Sequence, residues 1–194
     1  MTPGMTDPIE FRPLQTFDAA VIQPLLVGYE STAEYVVTHV DTPVVMSIEL
    51  RLAPLAQPFI KRWEPIDAET LADLARAVES GYSWGAYAGD ELVGVALASP
   101  QEWNQTLWVW EFHIAGAWQR RGIGRRLMAA VVERATKARF RAVVCEAQNT
   151  NVPAINFYRS QGFVFDGARL TLYAGSESEN EVAMFMKLHL PKAQ

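Results

Sequence analysis

The sequence predicts a mixed α/β (α+β) domain, and three observations carry that reading. Strand-like and helix-like segments alternate through most of the 194 residues. An aromatic and β-branched run, Thr106 to Ala115, leads through two glycines into a helix-patterned stretch at 123–137 and then into a second apolar run, Ala142 to Ala147. A crossover of that length makes the two runs parallel neighbours, whereas the short turns elsewhere predict antiparallel pairing.

Taken in order, Ile9 to Pro13 is a short strand, and Asp18 opens a helix candidate (Ala19, Ala20, Ile22, Leu25, Leu26) that Pro24 interrupts. From Thr38 to Trp63 the pattern is irregular, punctuated by Pro43, Pro54 and Pro58, with one strand expected at Met46 to Leu52. Asp67 caps a helix running to Glu79, with Leu71, Leu74, Ala75 and Val78 as its apolar stripe and Gly81 as its stop. Trp84 to Ala88, the Gly89-Asp90 turn and Leu92 to Ser99 read as a hairpin, and the run from Thr106 continues the meander. Ile123, Leu127, Met128, Val131 and Ala135 mark the buried face of the next helix. Asn151 caps a short helix reaching Gln161, with Pro153 in its first turn, where the missing N–H costs little, and Gly162 at its end. Strands at Phe163 to Tyr173 and Glu181 to His189 close the domain, joined by the acidic loop Gly175 to Glu181. Met1 to Pro8 and Pro191 to Gln194 lack periodicity and are expected to be flexible tails.

The formal charge of −5 argues against a general nucleic-acid binder and is compatible with a cationic substrate. No apolar run approaches the roughly 18 to 20 residues that span a bilayer, so no membrane partner is expected and the cytoplasm is the expected compartment. The single cysteine, Cys145, excludes an internal disulfide and sits in a strand-like run that predicts a buried thiol. His39, His113 and His189 have no metal-ligand spacing, and no metal is expected.

Against this acidity, Gln119 to Arg126 concentrates Arg120, Arg121, Arg125 and Arg126 around Gly122 and Gly124. The segment falls on a strand-to-helix turn, where the first helical amides lack internal partners and face outward with the positive end of the dipole. Glycine lets an anion approach the backbone closely. Two familiar phosphate loops do not fit. The Walker pattern needs Gly-Lys-Ser/Thr, and the dinucleotide fingerprint needs a glycine where Leu127 stands.

Together with the Asn151-capped helix, this turn resembles the GNAT superfamily of N-acetyltransferases, whose cofactor motif is Gln/Arg-x-x-Gly-x-Gly/Ala after a strand. Gln119, Gly122 and Gly124 fit it, and the segment from Glu146 through Asn149, Asn151, Tyr158 and Gly162-Phe163 is similar to the superfamily's second motif. The resemblance covers Trp84 to about Leu190. Within the superfamily the sequence looks like the streptothricin acetyltransferases, on Trp103-Asn104, on the Gln-Asn-Thr-Asn-Val-Pro-Ala segment, and on Leu172-Tyr173-Ala-Gly175. It departs from them at Trp110-Glu111, where an acidic pair is common.

The resemblance implies a central mixed, mostly antiparallel sheet of about seven strands with flanking helices. Residues 9–190 would form one N-acetyltransferase domain, with 9–83 supplying acceptor-side elements and 84–190 the acetyl-CoA-binding core. It implies acetyl-CoA as acyl donor, its pyrophosphate on the turn formed by Arg120, Arg121, Gly122, Ile123, Gly124 and Arg125, with Gln119 and Asn151 as further contacts. The pantetheine arm would lie along Phe112, His113 and Ile114 and the run Ala142 to Ala147, with an amide near Ile114 stabilising the oxyanion. An acceptor ammonium must lose a proton before it attacks, and Glu111 or Glu146 would take it. Tyr158 would protonate the departing thiolate. His113 has a catalytic role open to it beside a packing role. Trp84, Trp103, Trp108 or Trp110 could wall an acceptor pocket and hold a cation over an aromatic face.

The expected reaction is direct attack of a primary amine in a ternary complex. The acceptor is a small cationic metabolite or a streptothricin-like antibiotic, which would make antibiotic resistance its role. A protein N-terminal or lysine amine is the alternative, and a non-catalytic acyl-CoA sensor a third reading. A homodimer is compatible with the sheet edges of such folds.

Overall fold

The computed structural model describes residues 8–63, 65–173 and 181–191. The expected tails at 1–7 and 192–194, most of the expected acidic loop, and Ala174 and Gly175 lie outside the described residues. The elements are β1 (Ile9–Pro13), α1 (Ala19–Ile22) running into a 3-10 turn at Gln23–Leu25, β2 (Tyr29–Asp41), β3 (Met46–Lys61), α2 (Ala68–Glu79), β4 (Trp84–Ala88) and β5 (Glu91–Gln101). After these come β6 (Thr106–Ile114), α3 (Ile123–Lys137), β7 (Ala142–Gln148), α4 (Val152–Ser160), β8 (Val164–Arg169) and β9 (Ala183–His189). Seven strands form one sheet in the order β1-β4-β5-β6-β7-β9-β8, and β2 and β3 form a two-stranded sheet. The expected mixed α/β fold with a large, mostly antiparallel sheet is therefore present.

The chain divides into two compact units. One comprises the residues up to 27, 63–144 and those from 189 on, and the other comprises 28–62 and 145–188. In the first, β5 reads as a continuous apolar run because Leu92 to Ala98 are all buried, with both faces covered. Ile22, Leu25, Leu74 and Val78 from the α1–α2 side pack with Val95 and Leu97. On α3, Leu127, Met128, Val131 and Ala135 recur at helical spacing and are almost wholly buried, as their periodicity predicts. Trp118 and Ile123 pack with Ala86, Ala88 and Val93, which anchors the turn before α3 to the sheet.

The second unit departs most from expectation. The irregular stretch after Thr38 is a long antiparallel ribbon of β2 and β3, with Asp41 opposite Met46 and Tyr29 opposite Lys61. Prolines mislead here for a physical reason. Among the described residues the outer side of β3 has no partner strand, so the N–H that Pro54 lacks can belong to the open edge. Pro58 falls in the stretch that bulges between the pairs Ser31–Phe59 and Ala33–Pro54. The ribbon starts at Gly28, whose φ of +92° and approach of an added Cβ to 2.1 Å from the Lys61 carbonyl oxygen leave no room for a side chain. β8 ends at Arg169, so Leu172-Tyr173 lies off the strand expected to reach it.

Because Leu127 is completely enclosed, Leu127→Ala should cost about 2–5 kcal/mol. Urea unfolding of the two proteins measures it, and a loss below about 1 kcal/mol would show that the core collapses around the deletion.

Candidate active site

The strand-to-helix turn is built in the first unit. Gln119 donates from Nε2 to the Ile114 carbonyl oxygen at 2.9 Å, tying the turn to the end of β6. Arg120 and Gly122 both have positive φ, 61° and 78°, which swings the chain sharply into α3. Gly122 is the N-cap and supplies no side-chain cap, so the amides of Ile123, Gly124 and Arg125 remain available to an external acceptor. A Cβ built on Gly122 meets nothing within 4 Å, so the space above the turn is open.

The arginines divide into two pairs. Arg121 lies over the Trp118 ring at 5.1 Å and Arg126 over Phe11 at 4.5 Å. Arg120 and Arg125 are exposed and carry no ion pair among the described residues. An open turn, unsatisfied amides and two available cations fit an anion of pyrophosphate type.

On β6, Glu111 and His113 share one face, and His113 Nε2 lies 2.7 Å from Glu111 Oε2. Both are partly buried. Just before Glu111 the β5–β6 register shifts, with Leu97 opposite Glu111 and Ala98 opposite Val109, so Trp110 is the extra residue of a bulge. Trp110 stacks on Trp108 at 5.2 Å and donates from Nε1 to Ser99 Oγ at 2.8 Å. Trp103 is largely exposed, Trp118 belongs to the core, and Trp84 Nε1 is buried with no partner among the described residues.

The remaining predicted residues belong to the second unit. Asn151 caps α4, its Oδ1 accepting from the Ala154 amide at 3.2 Å. Tyr158 is buried, packs against Phe157 and Phe163, and hydrogen-bonds the Cys145 thiol. Burial, the largest influence, pushes that thiol well above the usual range, consistent with an inert interior cysteine. Cys145 and Glu146 are consecutive on β7 and therefore face opposite sides of the sheet.

Glu146 accepts a hydrogen bond from the Tyr173 hydroxyl. A second carboxylate belongs to the same cluster. Glu181 is only 5% exposed and is held by Lys61 and by the Thr150 hydroxyl, which donates to Oε1 at 3.1 Å. The Tyr29 hydroxyl lies 2.6 Å from Thr150 Oγ1 and 3.3 Å from Glu181 Oε1. Burial, reinforced by the charges of Glu181 and Glu146 against a lowering contribution from Thr150, raises the Tyr29 pKa strongly. Burial and then Glu146 do the same for Tyr173. Both phenols therefore stay protonated as donors at neutral pH.

Sequence reasoning missed Tyr29, Lys61, Thr150 and Glu181 as members of this cluster. Tyr173 had a signal in the Leu172-Tyr173 motif, whereas Tyr29 and Lys61 pair at the base of a ribbon whose first strand periodicity did not reveal. Among the described residues no group of three or more His, Cys, Asp or Glu side chains is placed to hold a metal ion.

The model of the acetyltransferase (GNAT) family matches residues 49–163. Streptothricin acetyltransferase of Streptomyces lavendulae is 29% identical over 184 residues, covering 94% of this chain and 95% of that protein. The crystal structure of nourseothricin acetyltransferase matches with a TM-score of 0.74 at 26% identity, over 94% of this chain and 99% of that one. A protein of Bacillus anthracis str. Ames, solved in complex with acetyl coenzyme A, shares the fold with a TM-score of 0.69 at 19% identity, over 95% and 98% of the two chains.

The raised phenols fix a sign for alkaline stability. A tyrosine whose folded pKa exceeds its unfolded value of about 10 stabilises the fold fully below that pH and loses its contribution as pH rises toward the folded value. Unfolding free energy should therefore decline above about pH 10. Replacing Tyr29 and Tyr173 with Phe should flatten that decline in denaturant titrations, and an unchanged slope would place the phenols in a wetter setting.

Proposed function

The chain belongs to the acetyltransferase (GNAT) family, and we propose that it transfers the acetyl group of acetyl-CoA to a primary amine of a small cationic molecule of streptothricin type. The observation that carries the acceptor class is the pair of partly and fully buried carboxylates, Glu146 and Glu181, with Tyr29 and Tyr173 beside them. Such a cluster favours a cation and offers a proton acceptor. The likeness to the Streptomyces lavendulae enzyme over nearly the whole of both chains supports the same acceptor class and, with it, antibiotic resistance as the role. A single buried cysteine suits a cytoplasmic setting.

Acetyl-CoA, when bound, supplies a thioester whose carbonyl carbon an amine can attack. The amides of Ile123, Gly124 and Arg125 and the cations of Arg120 and Arg125 would hold its pyrophosphate, with Arg121, Gly122 and Gln119 shaping the turn. Phe112, His113 and Ile114 would line the pantetheine arm and Asn151 would add a polar contact. Glu146 is the proposed base, taking a proton from the acceptor ammonium. The Tyr173 hydroxyl fixes one of its oxygens, which orients the carboxylate. Glu111, paired with His113, would shape the acceptor side of β6. Tyr158 would deliver a proton from its hydroxyl to the leaving sulfur, for which its contact with Cys145 must give way.

Thiol release from acetyl-CoA with streptothricin and a panel of other amines, with the product identified by mass, tests the reading. Streptothricin should be the preferred acceptor and gain one acetyl group, whereas turnover on peptide N-termini alone would contradict the small-molecule assignment. Glu146→Gln should lower kcat/KM for the amine by about 10²–10⁴ and Glu111→Gln by less than about tenfold. The reverse order would move the base to Glu111. Tyr158→Phe should lower kcat and leave acetyl-CoA affinity nearly intact.

A further inference from the structure

Among the described residues, three that are not glycine hold a positive φ. Arg120 lies in the turn before α3, and the other two, Gln105 at 54° and Arg139 at 63°, line a single cavity at the far end of that helix. Its volume of about 540 Å³ falls within the roughly 300–1,000 Å³ of small-molecule sites. The 15 residues of α3 separate this cavity from the turn by about 22 Å at the helical rise.

The cavity reverses the sign of the chain. Arg139, Arg141 and His189 line it and no acidic side chain does, in a protein of formal charge −5. None of the three is in an ion pair among the described residues. Arg141 is nevertheless held in place. Its Nε donates to the Asn104 carbonyl oxygen at 2.6 Å, its amide donates to the Gln105 carbonyl oxygen at 2.9 Å, and its carbonyl accepts from the Leu190 amide at 3.0 Å. The two terminal nitrogens of that guanidinium have no partner among the described residues. Buried Phe140 and Leu190 supply an apolar lining, and Tyr82 meets the Phe140 ring edge-on at 5.2 Å, which fixes it.

Arg139 stands just past the C-cap of α3. Its amide donates to the Thr136 carbonyl oxygen at 3.0 Å and the Phe140 amide donates to the Ala135 carbonyl oxygen at 3.1 Å, the paired bonds of a left-handed helix stop. Glycine adopts that conformation without strain, so the helix stop itself gains nothing from an arginine. The negative end of the helix dipole would oppose an anion here, but these two bonds already occupy last-turn carbonyls, and Arg134 and Lys137 stand in the same turn.

We propose that this cavity is a second ligand site, for a small doubly charged oxyanion carried on an apolar or aromatic body. The guanidiniums of Arg139 and Arg141 present paired donors to the oxyanion, the His189 imidazole adds a third group, and Phe140 and Leu190 take the apolar part. Phosphate monoesters and dicarboxylates share this chemistry. The proposal is independent of both the acyl donor and the acceptor.

Calorimetric titration of the full chain with phenyl phosphate and with phthalate tests it, each in the presence and absence of saturating acetyl-CoA. At least one probe should bind with a Kd below about 1 mM, unchanged by acetyl-CoA, and the tighter one identifies the oxyanion as phosphoryl or dicarboxylate. Arg139→Gly keeps the left-handed backbone, so its melting temperature should hold or rise while the Kd weakens about tenfold or more. His189→Gln, on the opposite side of the sequence, should weaken binding as well. No heat from either probe, binding abolished by acetyl-CoA, or an unchanged Kd in Arg139→Gly would overturn the proposal, the second by placing the probe on the turn before α3.

Discussion

The second unit depends on one buried asparagine. Asn149, 4% exposed at the end of β7, satisfies four hydrogen bonds. Its amide donates to the Val182 carbonyl oxygen at 2.9 Å and its Oδ1 accepts from the Val182 amide at 2.8 Å. On the other side, Nδ2 donates to the Tyr35 carbonyl oxygen at 2.9 Å and its own carbonyl accepts from the Tyr35 amide at 2.9 Å. Backbone and side chain thus act as a short strand segment that pairs with β2 and with the approach to β9. No aliphatic residue of similar size could do this, and leaving these groups unpaired in the interior would cost about 1–3 kcal/mol each.

Every member of the carboxylate cluster sits close to this junction in sequence or by a direct bond. Thr150 follows Asn149, Glu181 precedes Val182, and Glu146 lies three residues earlier on β7. Tyr29 and Lys61, at the base of the ribbon that Tyr35 fastens, bond to Thr150 and Glu181. The arrangement gives Glu181 a complete set of partners and gives Glu146 a phenol donor. A carboxylate held in one orientation serves better as a proton acceptor than one that must be ordered during the reaction. The first unit is organised by a different constraint. There Trp118 and Ile123 pin the chain on either side of Gly122, so the turn presents its amides without help from a capping side chain.

Local physics explains what could be read in advance. The α3 stripe of Leu127, Met128, Val131 and Ala135 is a strong helical period and appears as expected, as does the Asn151 cap. β1 and β4 also span the residues expected of them. The ribbon could be read only in part. Met46 to Leu52 alternates apolar and polar residues and lies within β3 as expected, whereas β2 has consecutive apolar residues at Val36 and Val37 and the rest of β3 carries prolines, so the alternation that marks a half-buried strand is lost there. The Glu181–Lys61 pair joins residues 120 positions apart, and only tertiary structure brings them together. Tyr158 and Glu146 are both present as motif residues, yet no spacing rule reveals that the first bonds the Cys145 thiol and the second a phenol from beyond β8.

If the Asn149 junction sets the proposed acceptor chemistry, and donor binding rests mainly on the turn before α3, the two should be separable. The direct measurement is kcat/KM for the amine alongside calorimetric affinity for acetyl-CoA, in wild type and Asn149→Ala. The expected result is a loss of at least about tenfold in kcat/KM with acetyl-CoA affinity within about threefold of wild type. Equal losses in both, or no loss in either, would contradict the dependence of the acceptor side on this one side chain.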